Sequence, residues 1–391
     1  MGPAGRDIGA AGPDLNGTGG TDEAGPMSNT IVRTDGDSAP PYSVNASPGF
    51  AAWLHGTGSA LAVTTYQIGK LFVIGAETPD TLSVSERSFD RCLGVAPDGQ
   101  GGLVLAGLNA IWRFGNVVPP GKELEGHDAV YVPRMAWFTG DVFAHDVALT
   151  PAGRPVFVNT LFSCLATVDE TSSFRSLWQP PFVSQLAPQD RCHLNGLAVD
   201  AAGMPRYVTA VAETDAPGGW REKRVGAGVV IDIASNETVC RGLSMPHSPR
   251  LHDGRLHVLN AGTGEIGQVD VATARFQPLC FLPGFARGLA FAGGHALVGL
   301  SLPRSSPTFA GLPLEDRLAA EKLPAQCAVA VVNLSTGQPE HALRLGGIVR
   351  ELYDIAVLPG VRKPMLIGTQ AGSALNKLVM RGADVPLSTL A

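Results

Sequence analysis

Charge, basic clusters and long apolar runs are all scarce in this chain. Only 16% of its 391 residues are charged, against 48 glycines, which points to many short strands joined by tight turns rather than to long solvated helices. The formal net charge is −6, and the only basic group is Arg221, Lys223 and Arg224, so nucleic acid is not an expected partner. No run reaches the roughly 18 consecutive apolar residues needed to span a bilayer. The N-terminus also lacks the basic-then-apolar order of a signal peptide, and the expectation is a cytoplasmic protein with no membrane partner. The six cysteines, Cys92, Cys164, Cys192, Cys240, Cys280 and Cys327, show no CxxC spacing and sit mostly in apolar runs, so buried free thiols are expected.

Motifs are equally sparse. There is no HExxH, no GxSxG elbow, no Walker loop and no dinucleotide fingerprint in a βαβ setting. Asn260-Ala261-Gly262-Thr263-Gly264 has the glycines of a phosphate loop but leads into a strand pattern, and reads as a turn. Cys192 beside His193 does not form a nucleophile–base pair, because adjacent residues on a strand point to opposite faces.

What is present is a repeat. Residues 1–41 are rich in Gly, Asp, Thr and Pro without apolar periodicity, and read as a disordered tail, with Met27 as an alternative natural start. Residues 42–391 read as one domain. Ser47-Pro48 looks like a helix N-cap and first position, with the helix ending by Gly56-Thr57-Gly58. After Ser59 a short apolar strand, a Gly or Asp turn and a second strand recur.

Six copies align at Gly94-Val95-Ala96, Val147-Ala148-Leu149, Gly196-Leu197-Ala198, Ser248-Pro249-Arg250, Gly288-Leu289-Ala290 and Asp354-Ile355-Ala356, with a less regular seventh at Ala60-Leu61-Ala62. Their spacing, roughly 40 to 65 residues, is that of propeller blades. The expected fold is an all-β, seven-bladed β-propeller of four-stranded antiparallel blades around a central channel, with six blades as the alternative and closure pairing strands from both ends of the repeat region. A β-sandwich would not repeat one signature so often. Two stretches interrupt the rhythm, residues 213–221 and 303–325, the second with a helical pattern at 314–321; each is a lid or a tolerated surface loop.

In a propeller the innermost strands line the channel, so residues at their starts converge. Those positions hold Arg91 or Cys92, His145 or Asp146, Asn195, His247, Arg287 and Tyr353. His193, two residues before Asn195, falls on the same side by strand alternation, and Asp146, Asp354 and Glu351 flank the ring. Imidazoles transfer protons near neutrality, and Arg forks match carboxylate or phosphate. His145, His193 and His247 are therefore candidate acid–base residues, and Arg91, Asn195, Arg287 and Tyr353 candidate substrate-binding residues. The bland reading is that polar channel residues merely brace neighbouring blades. His252, His257 and His295 fall at turns or within second strands and are read as structural.

At Asp190-Arg191-Cys192-His193-Leu194-Asn195-Gly196 and Ser244-Met245-Pro246-His247-Ser248-Pro249-Arg250 the chain resembles a bacterial family of hypothetical proteins known as a domain of unknown function. Further matching stretches are Asn159-Thr160-Leu161-Phe162-Ser163-Cys164-Leu165, Val208-Thr209-Ala210, Gly219-Trp220-Arg221 and Arg287-Gly288-Leu289-Ala290-Phe291, and the resemblance extends from about Phe50 to Gly360. It implies no activity and no residue roles. In strand rhythm alone the chain is similar to strictosidine synthases, gluconolactonases and propeller lyases, whose channels usually hold a divalent metal on carboxylate, Asn or His ligands. That is an analogy of fold and does not fix a reaction.

The leading expectation is a non-redox acid–base enzyme (lyase, cyclase, isomerase or hydrolase) acting on a small anionic metabolite at the channel mouth without a required cofactor. A protein-binding scaffold is the first alternative. The second is a metal-dependent oxygenase or lyase with a divalent metal on His145, His193 and His247.

Overall fold

The structure, a computed structural model, describes residues 30–33, 41–304 and 309–369. Its strands form six sheets, each built around four antiparallel strands, the arrangement of a six-bladed propeller. We number the blades by their innermost strands: Val95–Pro97, Ala144–Leu149, Leu194–Val199, Pro246–His252, Phe285–Ala292 and Leu352–Pro359. Because each blade is covered on both faces by its neighbours, its second and third strands are buried in runs rather than alternating, while outer strands such as Arg175–Trp178 are exposed. All seven residues of Ser59–Thr65 are buried.

The expected seven blades are corrected to six. The six regular copies are the six innermost strands. The irregular seventh, Ser59–Thr65, is the second strand of blade 6, pairing antiparallel with Leu352–Pro359 through Ile355 opposite Val63 and Ala356 opposite Ala62. Closure uses both chain ends, so the first and last copies belong to one blade. Tyr42–Ala46 similarly adds an outer strand to blade 5 against Pro339–Gly347. Within the expected N-terminal tail, Thr30–Arg33 pairs in parallel with Thr81–Val84 of blade 6; the rest of residues 1–40 lies outside the described residues, as does 370–391.

The helix is Phe50–Thr57, two residues later than the Ser-Pro signal suggests. Ser47 is diverted into sheet pairing: its N–H donates to the Ala342 carbonyl at 2.8 Å and its Oγ accepts the Ala342 N–H at 3.0 Å. Gly49, at φ +80°, starts the helix instead. The helix over residues 314–321 is present as Pro313–Glu321. No helix among the described residues is long and apolar enough to cross a membrane.

The innermost strands of blades 2 to 6 each carry a register shift near their start, which lifts one or two residues out of the ladder. Bulges of this kind re-aim side chains. Here the lifted residues are His145 and Asp146, Asn195, Ser248 and Pro249, Gly288, and Tyr353 and Asp354.

Around the channel the blades alternate. Gly94, Gly196 and Gly288, on blades 1, 3 and 5, face Asp146, Ser248 and Asp354 on blades 2, 4 and 6, so closely that a Cβ would lie 2.7 Å from the Asp146 Cα, 2.9 Å from the Ser248 nitrogen and 2.7 Å from the Asp354 Cα respectively. Each polar partner then accepts a backbone N–H from the following glycine blade: Leu197 to Asp146 Oδ2 at 2.9 Å, Gly288 to Ser248 Oγ at 3.0 Å and Val95 to Asp354 Oδ2 at 3.0 Å. The ring is thereby a quasi-three-fold set of blade pairs. Gly288→Ala combines the Asp354 clash with a backbone at φ +76°. It is expected to cost about 2–4 kcal/mol in urea unfolding, the sum of left-handed strain and overpacking.

Candidate functional site

Two of the three histidines are held by one local device. Phe143 and Met245 adopt left-handed backbone, φ 51° and 48°, which turns their carbonyls back toward the imidazole two residues on. The Nδ1–H of His145 donates to the Phe143 carbonyl at 2.9 Å, and that of His247 to the Met245 carbonyl at 2.8 Å. A carbonyl only accepts, so Nδ1 carries the proton and Nε2 is left without a protein partner among the described residues. Burial, reinforced by His193, lowers the His145 pKa to about 3, and burial with the Arg287 charge takes His247 well below its ordinary value. Both rings are therefore neutral, with Nε2 presenting a lone pair.

His193 is anchored differently. Its Nδ1 lies 3.1 Å from both oxygens of Asp190, whose Oδ2 also accepts the Trp220 indole N–H at 2.9 Å, and the indole stacks on the imidazole at 4.1 Å. Burial alone would raise the Asp190 pKa, but His193 and the indole N–H outweigh it and hold the carboxylate ionised. His193 itself has φ 51°. Strand alternation is thus not what brings it to the ring; a left-handed turn does, placing it edge-on to His145 with ring centres 4.9 Å apart.

Arg287 is buried among Phe285, Phe309 and Tyr353, with its guanidinium carbon 4.7, 5.5 and 5.4 Å from their ring centres. Its one carboxylate, Glu351, is 3.4 Å away and is held more tightly by Arg304, whose Nε donates to Oε1 at 2.7 Å and whose second nitrogen bonds Oε2. Two guanidinium groups thus share one carboxylate. The Arg287 Nε and the Tyr353 hydroxyl, both buried, have no hydrogen-bond partner among the described residues. Burial raises the Tyr353 pKa well above its usual value, so the phenol stays protonated and is an unused donor.

Both interruptions of the repeat cover this end of the channel. Trp220, from the Gly219–Lys223 turn, packs with Phe309, Leu312, Leu314 and Leu318 of the second insertion and with Met245 and Phe285. An Arg224 nitrogen bonds the Ala310 carbonyl at 2.6 Å and ties the insertions together. Residues 305–308 lie outside the described residues.

One layer deeper, Arg250 braces the channel. It bonds Asp146 at 2.8 Å and Asp354 at 3.3 Å, and donates to the Leu197 carbonyl at 2.8 Å. Burial raises the Asp354 pKa to about 7 against the pull of Arg250. These two carboxylates serve the scaffold rather than the ring.

The pH dependence of stability follows. His145, His247 and His257, the last lowered to about 4 by burial, are neutral when folded but gain protons when unfolded below their ordinary value of about 6.5. Their contribution is present above that pH and is lost as pH falls. Asp354 acts oppositely: its folded pKa exceeds its unfolded one, so it adds stability as pH falls through 7. Three protons taken up against one released predict a fall of about 2.7 kcal/mol per unit between pH 6 and 5, steepening by about 1.4 in Asp354→Asn, checked by urea midpoints at each pH.

Of the expected ring, the structure brings together His145, His193, His247, Arg287 and Tyr353. Arg91 does not join it: its guanidinium pairs with Asp141 at 2.8 Å and lies over Phe143 at 4.4 Å, and among the described residues it makes no hydrogen bond to a ring residue. Asn195 is turned into its own blade, accepting the Thr209 hydroxyl at 2.7 Å. Cys192 faces the core, its thiol pushed up to about 12 by burial. All six cysteines are free.

Sequence reasoning missed Arg304, Phe309 and the bracing role of Arg250, and also Tyr66, whose ring stacks on Tyr353 at 6.2 Å and lies 4.5 Å from the Arg304 guanidinium carbon. Arg304 and Phe309 come from an insertion, and nothing in a repeat alignment points to residues outside the repeat. Among the described residues no group of three or more His, Cys, Asp or Glu is placed to share a metal ion.

A chain in the crystal structure of a nidogen/laminin complex is similar at 11% identity and a TM-score of 0.49, over 78% of this chain and 99% of that one. No curated protein matches the sequence. The model of the family described as Domain of unknown function (DUF4915) matches residues 48–367, and the chain belongs to that family.

Proposed function

We propose that the capped end of the channel binds a small anionic metabolite and performs non-redox acid–base chemistry on it, of the lyase, cyclase, isomerase or hydrolase type. The observation that carries this reading is the surplus of buried donors: two Arg on one Glu, with the Arg287 Nε and the Tyr353 hydroxyl unpartnered among the described residues. Leaving a buried donor unmade costs about 1–3 kcal/mol, and an arriving anion removes that cost. His193 is the acid–base residue, since Asp190 orients its ring through Nδ1, leaving Nε2 for the substrate. His145 and His247 accept hydrogen bonds, and Arg304 takes the place first given to Arg91.

The test is proton exchange. Incubated in D₂O with a panel of carboxylic acids, the protein is expected to exchange C–H protons beside the carboxylate of its substrate, as read by ¹H NMR. His193→Ala should abolish the exchange and His252→Ala, whose ring stacks on Phe291 away from the site, should retain it. Exchange unchanged in His193→Ala would remove His193 from the mechanism. Metal analysis of the active protein separates the metal-assisted alternative.

A docking role for the propeller draws on one observation, the outer strand Ala129–Phe138 of blade 1, where Phe138 is 70% exposed and Met135 47%. Phe138→Ser would abolish partner capture and leave proton exchange intact.

A further inference from the structure

Accepting the anion-binding reading above, we infer that the ligand is a monocarboxylate bearing hydroxyl groups rather than an apolar acid, an amino acid or a phosphate. The geometry of His145 and His247 carries the argument. Each spends its Nδ1 proton on a backbone carbonyl, so each offers Nε2 to the site only as an acceptor. The ligand group facing them must donate. The lowered pKa values of both rings agree, since protonation would turn the acceptors into donors.

Position supports the same conclusion. The Tyr353 ring neighbours both His145 and Arg287, at 5.6 Å from the imidazole and 5.4 Å from the guanidinium. The Phe285 ring likewise neighbours His247 and Arg287, at 5.6 and 4.7 Å. Each acceptor thus shares a ring neighbour with the cation, and the Arg287 charge acts on both imidazoles. An acid with its carboxylate on Arg287 places its hydroxyls toward Nε2 of the two histidines.

Charge narrows the class. Arg287 and Arg304 against Glu351 leave one positive charge, which a monoanion neutralises; the second charge of a phosphate would be buried without compensation. An ammonium could donate to the histidines, but it would stand beside the Arg287 charge that acts on both. A hydroxyl donates without that repulsion.

The experiment uses four probes on the full chain by calorimetry: glycerate, propanoate, glycerol and tartrate. They supply one carboxylate with two hydroxyls, the carboxylate alone, the hydroxyls alone, and two carboxylates with two hydroxyls. Glycerate should bind about tenfold or more tightly than each of the others, the worth of one or two hydrogen bonds. His247→Phe should reduce glycerate to the level of propanoate and leave propanoate unchanged; His145→Asn, with near-UV circular dichroism to establish folding, gives the same comparison if the first variant fails to fold. Propanoate matching glycerate overturns the hydroxyl inference while the anion reading stands. Tartrate binding more tightly than glycerate overturns the monoanion assignment. Glycerol matching glycerate, with Arg287→Met indifferent to both, overturns the anion reading as well. Failure of all four probes at millimolar concentration overturns the inference, and the proton-exchange test then decides the reading on which it rests.

Discussion

Arg250→Met is expected to destabilise the propeller by about 3–5 kcal/mol, the cost of removing one partner from a buried ion pair and leaving the other unpaired. The case here is stronger than a single pair, because Arg250 of blade 4 serves two carboxylates on two other blades of the three-fold set, Asp146 of blade 2 and Asp354 of blade 6. Both are nearly inaccessible, with side chains 5% and 3% exposed, and both already hold backbone N–H groups of neighbouring blades. Some of the loss is recovered by protonation, since Asp354 already has a pKa of about 7. Because 22% of the Arg250 side chain is accessible, the lower half of the range is expected. Urea unfolding at pH 7 measures the loss. Adding Asp354→Asn to Arg250→Met should return about 1–2 kcal/mol, as one of the unpaired charges disappears. A loss below about 1 kcal/mol in the single variant would show that the brace contributes little beyond the blade packing.

Arg287→Met has the opposite signature. Binding of the anionic ligand, and the proton exchange that depends on it, should fall by about a hundredfold or more, because the cation facing the ligand is lost from a desolvated site. Stability should stay level or rise by about 1 kcal/mol. Glu351 keeps Arg304, so no carboxylate is orphaned, and an unpartnered Nε disappears from the interior. A methionine sulfur suits the surrounding rings of Phe285, Phe309 and Tyr353. Calorimetric titration and thermal unfolding on one preparation check both halves. A large loss of stability would place Arg287 with Arg250 among the braces, and intact binding would move the anion elsewhere.

The propeller was legible because its signal is repeated. Gly-x-Ala and Asp-x-Ala stretches mark the innermost strands at Gly94, Gly196, Gly288, Asp146 and Asp354 whether or not any one copy is clear. Blade number was less legible: Ala60-Leu61-Ala62 has the composition of an innermost strand, and only its pairing with Leu352–Pro359 shows that it is second in line. Both kinds of strand are buried on both faces, so composition does not separate them.

The candidate site was legible in part for a related reason. His145, His247, Arg287 and Tyr353 were found because they stand at equivalent points of a repeat. Arg91 stands at such a point too, yet it pairs with Asp141. Blade 1 has the shortest innermost strand, Val95–Pro97, with no register shift between its paired residues to re-aim what precedes it.

Thus the sequence by itself determined the class of fold, the places of the repeated strands and the polar residues at their starts, since these depend on local pattern and on repetition. The tertiary structure alone decided which polar residues face one another and which lone pairs are left over. Arg250 became a brace and Arg287 a surplus cation through the carboxylates that other blades bring to each, and those partners stand 104 and 64 residues away in the chain. No local property of an arginine records that difference; it arises only when the ring closes.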